Sequence, residues 1–323
     1  SGAAQYAVSA SGLLVYARGG IYEDPPAALV VVDRAGHVEP LPGFDKPLTT
    51  SQARFSPDGH QIAFVEHARG GLLWLFDVER QTHRALSKEG VAGFPVWSPD
   101  GEQVAVGWSA AGPLKLWLVP VDGLGAWQPV TEAMALPPSW SPDGQRLAFV
   151  RAGDDSLDIF LYGFEDRQAV PFLATSANEL SPEISPDGSW MAFVSDESGR
   201  REVYVTSFPD PGQTFVVSSE GAAAPAWSRD GRTIFYYALL DRQLKAVALG
   251  DAQNLTLRRP ETVLRVASDL RVYYPPFRGY DIHPDGRRLL VERRAEVPAI
   301  PPITRLHLVQ NWLVELERRV PTN

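Results

Sequence analysis

The sequence predicts an all-β fold, a single β-propeller over 1–323 with seven blades of four antiparallel strands, six being the alternative count, closed by a short C-terminal helix. Three observations predict it. A four-residue turn motif recurs seven times at a nearly constant interval, each copy lies between short apolar runs of strand length, and two more such runs follow before the next copy. About 43 residues therefore supply four strands, the pattern of a propeller blade.

The motif reads Ser9-Ala10-Ser11-Gly12, Ser56-Pro57-Asp58-Gly59, Ser98-Pro99-Asp100-Gly101, Ser141-Pro142-Asp143-Gly144, Ser185-Pro186-Asp187-Gly188, Ser228-Arg229-Asp230-Gly231 and His283-Pro284-Asp285-Gly286, with first residues 47, 42, 43, 44, 43 and 55 apart. Pro pre-sets φ at the second turn position, Asp tolerates the third, and Gly accepts the positive φ that closes a hairpin with a bulge. Apolar runs flank the motif at 53–55 and 61–65, 95–97 and 103–106, and 139–140 and 146–150. The third strands are read at 72–78, 114–121, 158–164, 202–208 and 244–249, and the fourth at 84–86, 128–130, 170–173 and 214–217. The blades so defined are 3–46, 47–90, 91–133, 134–177, 178–220, 221–268 and 277–312.

An aromatic or aliphatic residue just ahead of the turn, as in Pro95-Val96-Trp97-Ser98-Pro99-Asp100-Gly101, resembles the TolB-type, WD40-like (PD40) propeller repeat. The stretch Ser195-Asp196-Glu197-Ser198-Gly199-Arg200-Arg201-Glu202-Val203-Tyr204-Val205 and the C-terminal 311–321 are similar to the propellers at the C-termini of large bacterial multidomain proteins, some with serine/threonine kinase domains. The resemblance implies an extracytoplasmic, envelope-associated setting, in the periplasm or cell envelope. No kinase signature is present.

After Gln310, Leu313, Leu316 and Val320 lie at helical spacing among charges, which predicts an amphipathic helix over 312–320. Three longer connections, 252–260, 268–278 and 295–303, interrupt the late repeats, and long loops are where propellers tend to place function.

Composition narrows the function. The net charge is −9 and the 30 basic residues are scattered, which argues against nucleic acid and anionic membrane partners. There are no cysteines, so disulfides, thiolate catalysis and Cys-ligated zinc are excluded. No apolar run reaches membrane-spanning length and residues 1–6 do not read as a signal peptide, so no direct membrane insertion is expected.

Two sets of residues are candidates for a site. The position two before each motif, occupied by Ala7, Arg54, Val96, Ser139, Glu183, Ala226 and Asp281, lies on the first strand of its blade, which lines the central channel. Arg54, Glu183, Asp281 and Ser139 are therefore channel candidates, with a solvated ion-pair network as the plainer reading. The loops between second and third strands carry Glu23-Asp24, Glu66-His67, Trp108-Ser109, Asp154-Asp155, Asp196-Glu197 and Asp241-Arg242, with Tyr22, Tyr236 and Tyr237 nearby. This acidic loop face adds Glu66, His67 and Trp108 as ligand candidates. The motif aspartates are assigned to the turns. Trp97, Trp140 and Trp227, at equivalent positions, are assigned to the core between blades.

Gly-x-Ser-x-Gly, HExxH, Walker A and EF-hand signatures are all absent. The expected function is that of a non-catalytic, monomeric sensor or interaction module, binding a protein, peptide or small molecule without cofactor. The alternative is a metal-assisted hydrolase of esters, lactones or phosphotriesters with a divalent ion in the channel, for which Glu183, Asp281, Glu66 and His67 are the ligands to test.

Overall fold

The computed structural model describes residues 6–9, 13–17, 27–44, 50–67, 70–153, 156–251, 255–274, 277–283, 285–295, 306–310 and 312. They fall into two compact units, Pro26–Ala295 and the paired termini Ser1–Pro25 with Glu296–Asn323. The expected helix over 312–320 lies outside the described residues except at Trp312, as do Tyr22, Glu23-Asp24 and Asp154-Asp155.

The large unit is a propeller of six blades, not seven. Blades 1 to 4 are regular four-stranded antiparallel sheets that start at Thr50–Phe55, Val91–Trp97, Ala135–Trp140 and Glu179–Ile184, and blade 5 starts at Ala222–Trp227 and adds a fifth strand. Blade 6 is built from both ends of the unit. Tyr280–Ile282 and Arg288–Arg294 form the hairpin of the last motif, and Ala27–Asp33 and Val38–Pro40 complete it, in register from Ala27↔Arg294 to Asp33↔Arg288.

The seventh blade fails for a reason of pairing. The expected blade 3–46 is divided, because Leu13–Ala17 pairs with Leu306–Gln310 while Ala27–Asp33 pairs with Arg288–Arg294. Ala27–Asp33 reads Ala-Ala-Leu-Val-Val-Val-Asp and is buried on both faces. The last hairpin has no third strand of its own inside the unit, and this segment fills that place. In the terminal unit, Tyr6–Val8, Leu13–Ala17 and Leu306–Gln310 make a separate three-stranded sheet.

The second strands show why the sequence reads as continuous apolar runs rather than alternation. Along Gln61–Glu66, Ile62 and Phe64 pack with Leu29, Val31 and Leu290 of blade 6, while Ala63 and Val65 pack with Trp97, Val104 and Val106 of blade 2. Successive side chains point to opposite faces of a strand, and here both faces meet a neighbouring blade. Each fully buried Leu, Ile, Val or Phe contributes roughly 1.5–3 kcal/mol, so the core is divided among the spaces between blades.

The motif turns form as the sequence predicts. In blade 1 the Ser56 hydroxyl donates to Asp58 Oδ1, which also accepts from the His60 N–H at 3.0 Å, and Gly59 closes the turn on the Ser56 carbonyl at φ +80°. The same glycine stands at φ between +67° and +74° in the next four turns of the propeller, where an L side chain is strained.

Candidate functional site

Every first strand of blades 1 to 5 carries a register shift three to four residues ahead of its turn motif, a bulge that the sequence does not announce. Gln52, Phe94, Ser181 and Ala224 sit at it with φ of +60°, +59°, +51° and +55°, although none is glycine. The kink lies two residues ahead of the channel position, itself two before the motif, and frees a backbone N–H from the ladder. Side chains from the preceding blade take up such groups: Gln52 N–H donates to Glu292 Oε1 at 3.1 Å, and Phe94 N–H to Gln52 Oε1 at 2.5 Å.

The first strands are joined by side chains. Ser139 Oγ accepts the Ile184 N–H at 2.9 Å, and Asp281 Oδ2 accepts the Phe55 N–H at 2.8 Å. In the reverse direction, the Trp97 indole donates to the Arg54 carbonyl at 3.0 Å and the Trp227 indole to the Glu183 carbonyl at 2.8 Å. Ser139 thus holds blade 3 to blade 4 and is buried in doing so.

At the centre, Arg54, Glu183 and Asp281 converge on a fourth residue that sequence reasoning missed. Arg278 Nη2 lies 3.1 Å from Glu183 Oε1 and 3.7 Å from Asp281 Oδ1. Arg54 turns away from the carboxylates to donate to the carbonyls of Arg278 at 2.8 Å and Tyr280 at 3.3 Å. Burial pushes the Glu183 carboxyl up to about 7 against the pull of Arg278 and Arg54. Burial, then repulsion from Arg278, brings Arg54 down to about 10. Burial also lowers Arg278, but Glu183 and Asp281 more than offset it and hold its guanidinium above the ordinary value. Tyr280, fully buried, donates its hydroxyl to the Ala224 carbonyl at 3.0 Å.

Arg278 comes from one of the long connections. Tyr273–Tyr274 and Phe277–Arg278 form a small hairpin whose Phe277 ring lies 4.0 Å from that of Phe94 in blade 2, while Arg201 of blade 4 donates to the Tyr273 hydroxyl at 3.3 Å. The hairpin therefore reaches both blade 2 and blade 4. On the turn side, Arg229 stands where most motifs have proline and ties the blade 5 turn to blade 1, donating to the Pro57 carbonyl at 2.6 Å. Arg278 had one signal in the sequence, a cation three residues before an acidic channel position.

The loop-face candidates are not brought to the channel group. Glu66 is buried at the end of its strand opposite Leu72, and His67 follows it, exposed. Trp108 packs edge-to-face on Trp117 and Trp127 and donates to the Glu89 carbonyl at 3.1 Å. Tyr236 and Tyr237 are buried core residues, and burial pushes Tyr236 up to about 12. Asp196 accepts two bonds from Asn178, and Glu202 takes Arg200 Nε at 2.7 Å and the Gly221 N–H at 2.8 Å, so these acids anchor loops.

Among the described residues, no three His, Asp or Glu side chains are grouped to hold a metal ion. The channel also does not fit a divalent ion, because the Arg278 guanidinium stands against both carboxylates that would ligate it.

Residues 125–258 match the TolB beta propeller domain family. A search of curated proteins returns no match. Among solved structures, the chain is similar to TolB from Agrobacterium tumefaciens, at 18% identity and a TM-score of 0.67, over 85% of this chain and 100% of that one. It is similar to TolB from Acinetobacter baumannii at 17% identity and a TM-score of 0.54, spanning 76% of this chain but only 64% of that one. An oligogalacturonate lyase in complex with manganese shares the fold at 13% identity and a TM-score of 0.54, over 91% and 96% of the two chains. The large unit is thus a six-bladed β-propeller, of which residues 125–258 match the TolB beta propeller domain family.

Proposed function

We propose that this propeller is a non-catalytic binding module, an interaction or sensor domain for protein partners in the bacterial envelope. The observation that carries the reading is the channel. Its polar side chains are joined to one another and to inter-blade backbone groups, and the chain's own hairpin supplies the cation. A reactive centre needs groups left available to a substrate, and here Arg278 Nη2 is set against Glu183 and Asp281 while Arg54 is taken up by the carbonyls of Ala53, Arg278 and Tyr280. The TolB-type fold supports protein partners and an extracytoplasmic setting.

The alternative, a metal-assisted hydrolase with Glu183, Asp281, Glu66 and His67 as ligands, requires Arg278 to leave and distant residues to join. Elemental analysis of protein purified without chelator, with thermal melting in the presence and absence of EDTA, tests the choice. Substoichiometric metal and an unchanged Tm are expected. A stoichiometric divalent ion whose removal lowers Tm, together with hydrolysis of aryl esters or lactones, would overturn the binding-module reading.

A further inference from the structure

The tryptophan just ahead of the turn occurs in blades 2, 3 and 5, and two of the three indoles behave alike. Trp97 and Trp227 donate their Nε1–H groups to the preceding blade. Trp140 does not: its Nε1 is buried without a hydrogen-bond partner. Its ring instead lies flat on Phe164, 5.0 Å between centroids and 9° between planes. Phe164 occupies the place filled by Val78, Val121, Phe208 and Leu249 in the other blades, each of which donates its N–H to the residue following its turn glycine. Only blade 3 pairs tryptophan and phenylalanine at these two positions.

A buried N–H without an acceptor is unfavourable, and at Trp140 that cost accompanies the flat stack on Phe164, which sets this ring apart from Trp97 and Trp227. The stack lies in a cleft of about 470 Å³ between blades 2 and 3, lined also by Asp100, Gln103, Gln128 and Asp143. Asp100 and Asp143 each commit Oδ1 to the turn, to a serine hydroxyl and a backbone N–H, and Oδ2 takes no part in those bonds. The turn bonds hold both carboxyls below their ordinary range, so both are ionised at neutral pH.

We propose that this cleft binds a cationic side chain, an arginine or lysine on a basic segment of a partner protein, with its charged group over the Trp140–Phe164 stack and between Asp100 and Asp143. The proposal rests on the binding-module reading and names a site for it. Two fixed carboxylates favour a cation over a neutral sugar, which is the other ligand that aromatic platforms accept.

Isothermal titration of the intact chain with N-acetyl-Gly-Arg-Gly-amide, its lysine and citrulline counterparts, and cellotriose tests it. The arginine peptide is expected to bind, citrulline to lose most of the affinity, and added salt to weaken it. Trp140→Leu should weaken binding roughly three- to thirtyfold, the range of a cation–aromatic contact. Trp140→Phe should weaken it less while leaving Tm unchanged or higher, since it removes the unpaired N–H. Glu165→Gln, in the neighbouring cleft, should change neither, and Gln128→Ala on the exposed rim provides a second binding variant if Trp140→Leu does not fold. Binding that Trp140→Leu and Gln128→Ala leave intact, binding of cellotriose in place of the arginine peptide, or no binding at all would overturn the cleft assignment. None of those results would supply the channel metal that overturns the binding-module reading.

Discussion

At the scale of the residue, Arg278 decides the behaviour of the channel. It faces Glu183 and Asp281, and none of the three side chains is more than 17% exposed. Arg278→Ala leaves two carboxyls buried without their cation, a change that costs about 3–5 kcal/mol at pH 8. The loss should depend on pH. Glu183 is raised from 4.5 to about 7, so the folded state holds a proton that the unfolded chain releases first, and this group's contribution to stability is fully present below pH 4.5 and is lost as pH rises through 7. Glu292, raised to about 7 by burial against the pull of Arg271, acts in the same direction. Denaturant titrations at pH 5 and pH 8 should show the wild type more stable with respect to this pair at pH 5, and the Arg278→Ala penalty smaller there. An equal penalty at both values would mean that the carboxyls are not buried as described. The sequence showed Arg54, Glu183 and Asp281 because they share a phase in the repeat. Arg278 stands outside that phase, on an insertion whose fold depends on Arg201, 72 residues before its partner Tyr273, and on Phe94, farther back still.

At the scale of the element, the turns and the bulges contrast. The turns were legible because proline, aspartate and glycine act within four residues. Their glycines should be sensitive in proportion to local crowding: Gly286→Ala, where an added methyl group meets nothing within 4 Å, should cost about 1–2 kcal/mol from the positive φ alone. Gly188→Ala adds a contact 3.1 Å from Pro142 and should cost more, which comparison of the two unfolding midpoints will show. The bulges were not legible, since Gln52, Phe94, Ser181 and Ala224 share no side-chain property. What they share is a position, and the groups that bond Gln52, Phe94 and Ala224 lie outside their own blades. Trp140 is the same kind of case: its identity was legible and its rotation onto Phe164 was not.

At the scale of the whole molecule, the blade count was the main misreading. Seven turns suggested seven blades, but a turn motif reports a hairpin and says nothing about which sheet the hairpin joins. The pairing of Ala27–Asp33 with Arg288–Arg294 is a contact across most of the sequence, which local pattern cannot reveal. A chain ending at residue 279 should therefore lose the propeller as a cooperative unit rather than a single blade; a sharp unfolding transition retained in that truncation would contradict the closure described. The same pairing has a consequence in time. During synthesis at about 5–20 residues per second, Ala27–Asp33 waits on the order of tens of seconds before its partner is made. Through that interval it is a bare, strongly apolar strand edge, the feature most prone to pair with the wrong chain. The hairpin of the last motif is thus the one that ends the exposure of Ala27–Asp33, and the period of greatest hazard for that strand is set by the length of chain between them.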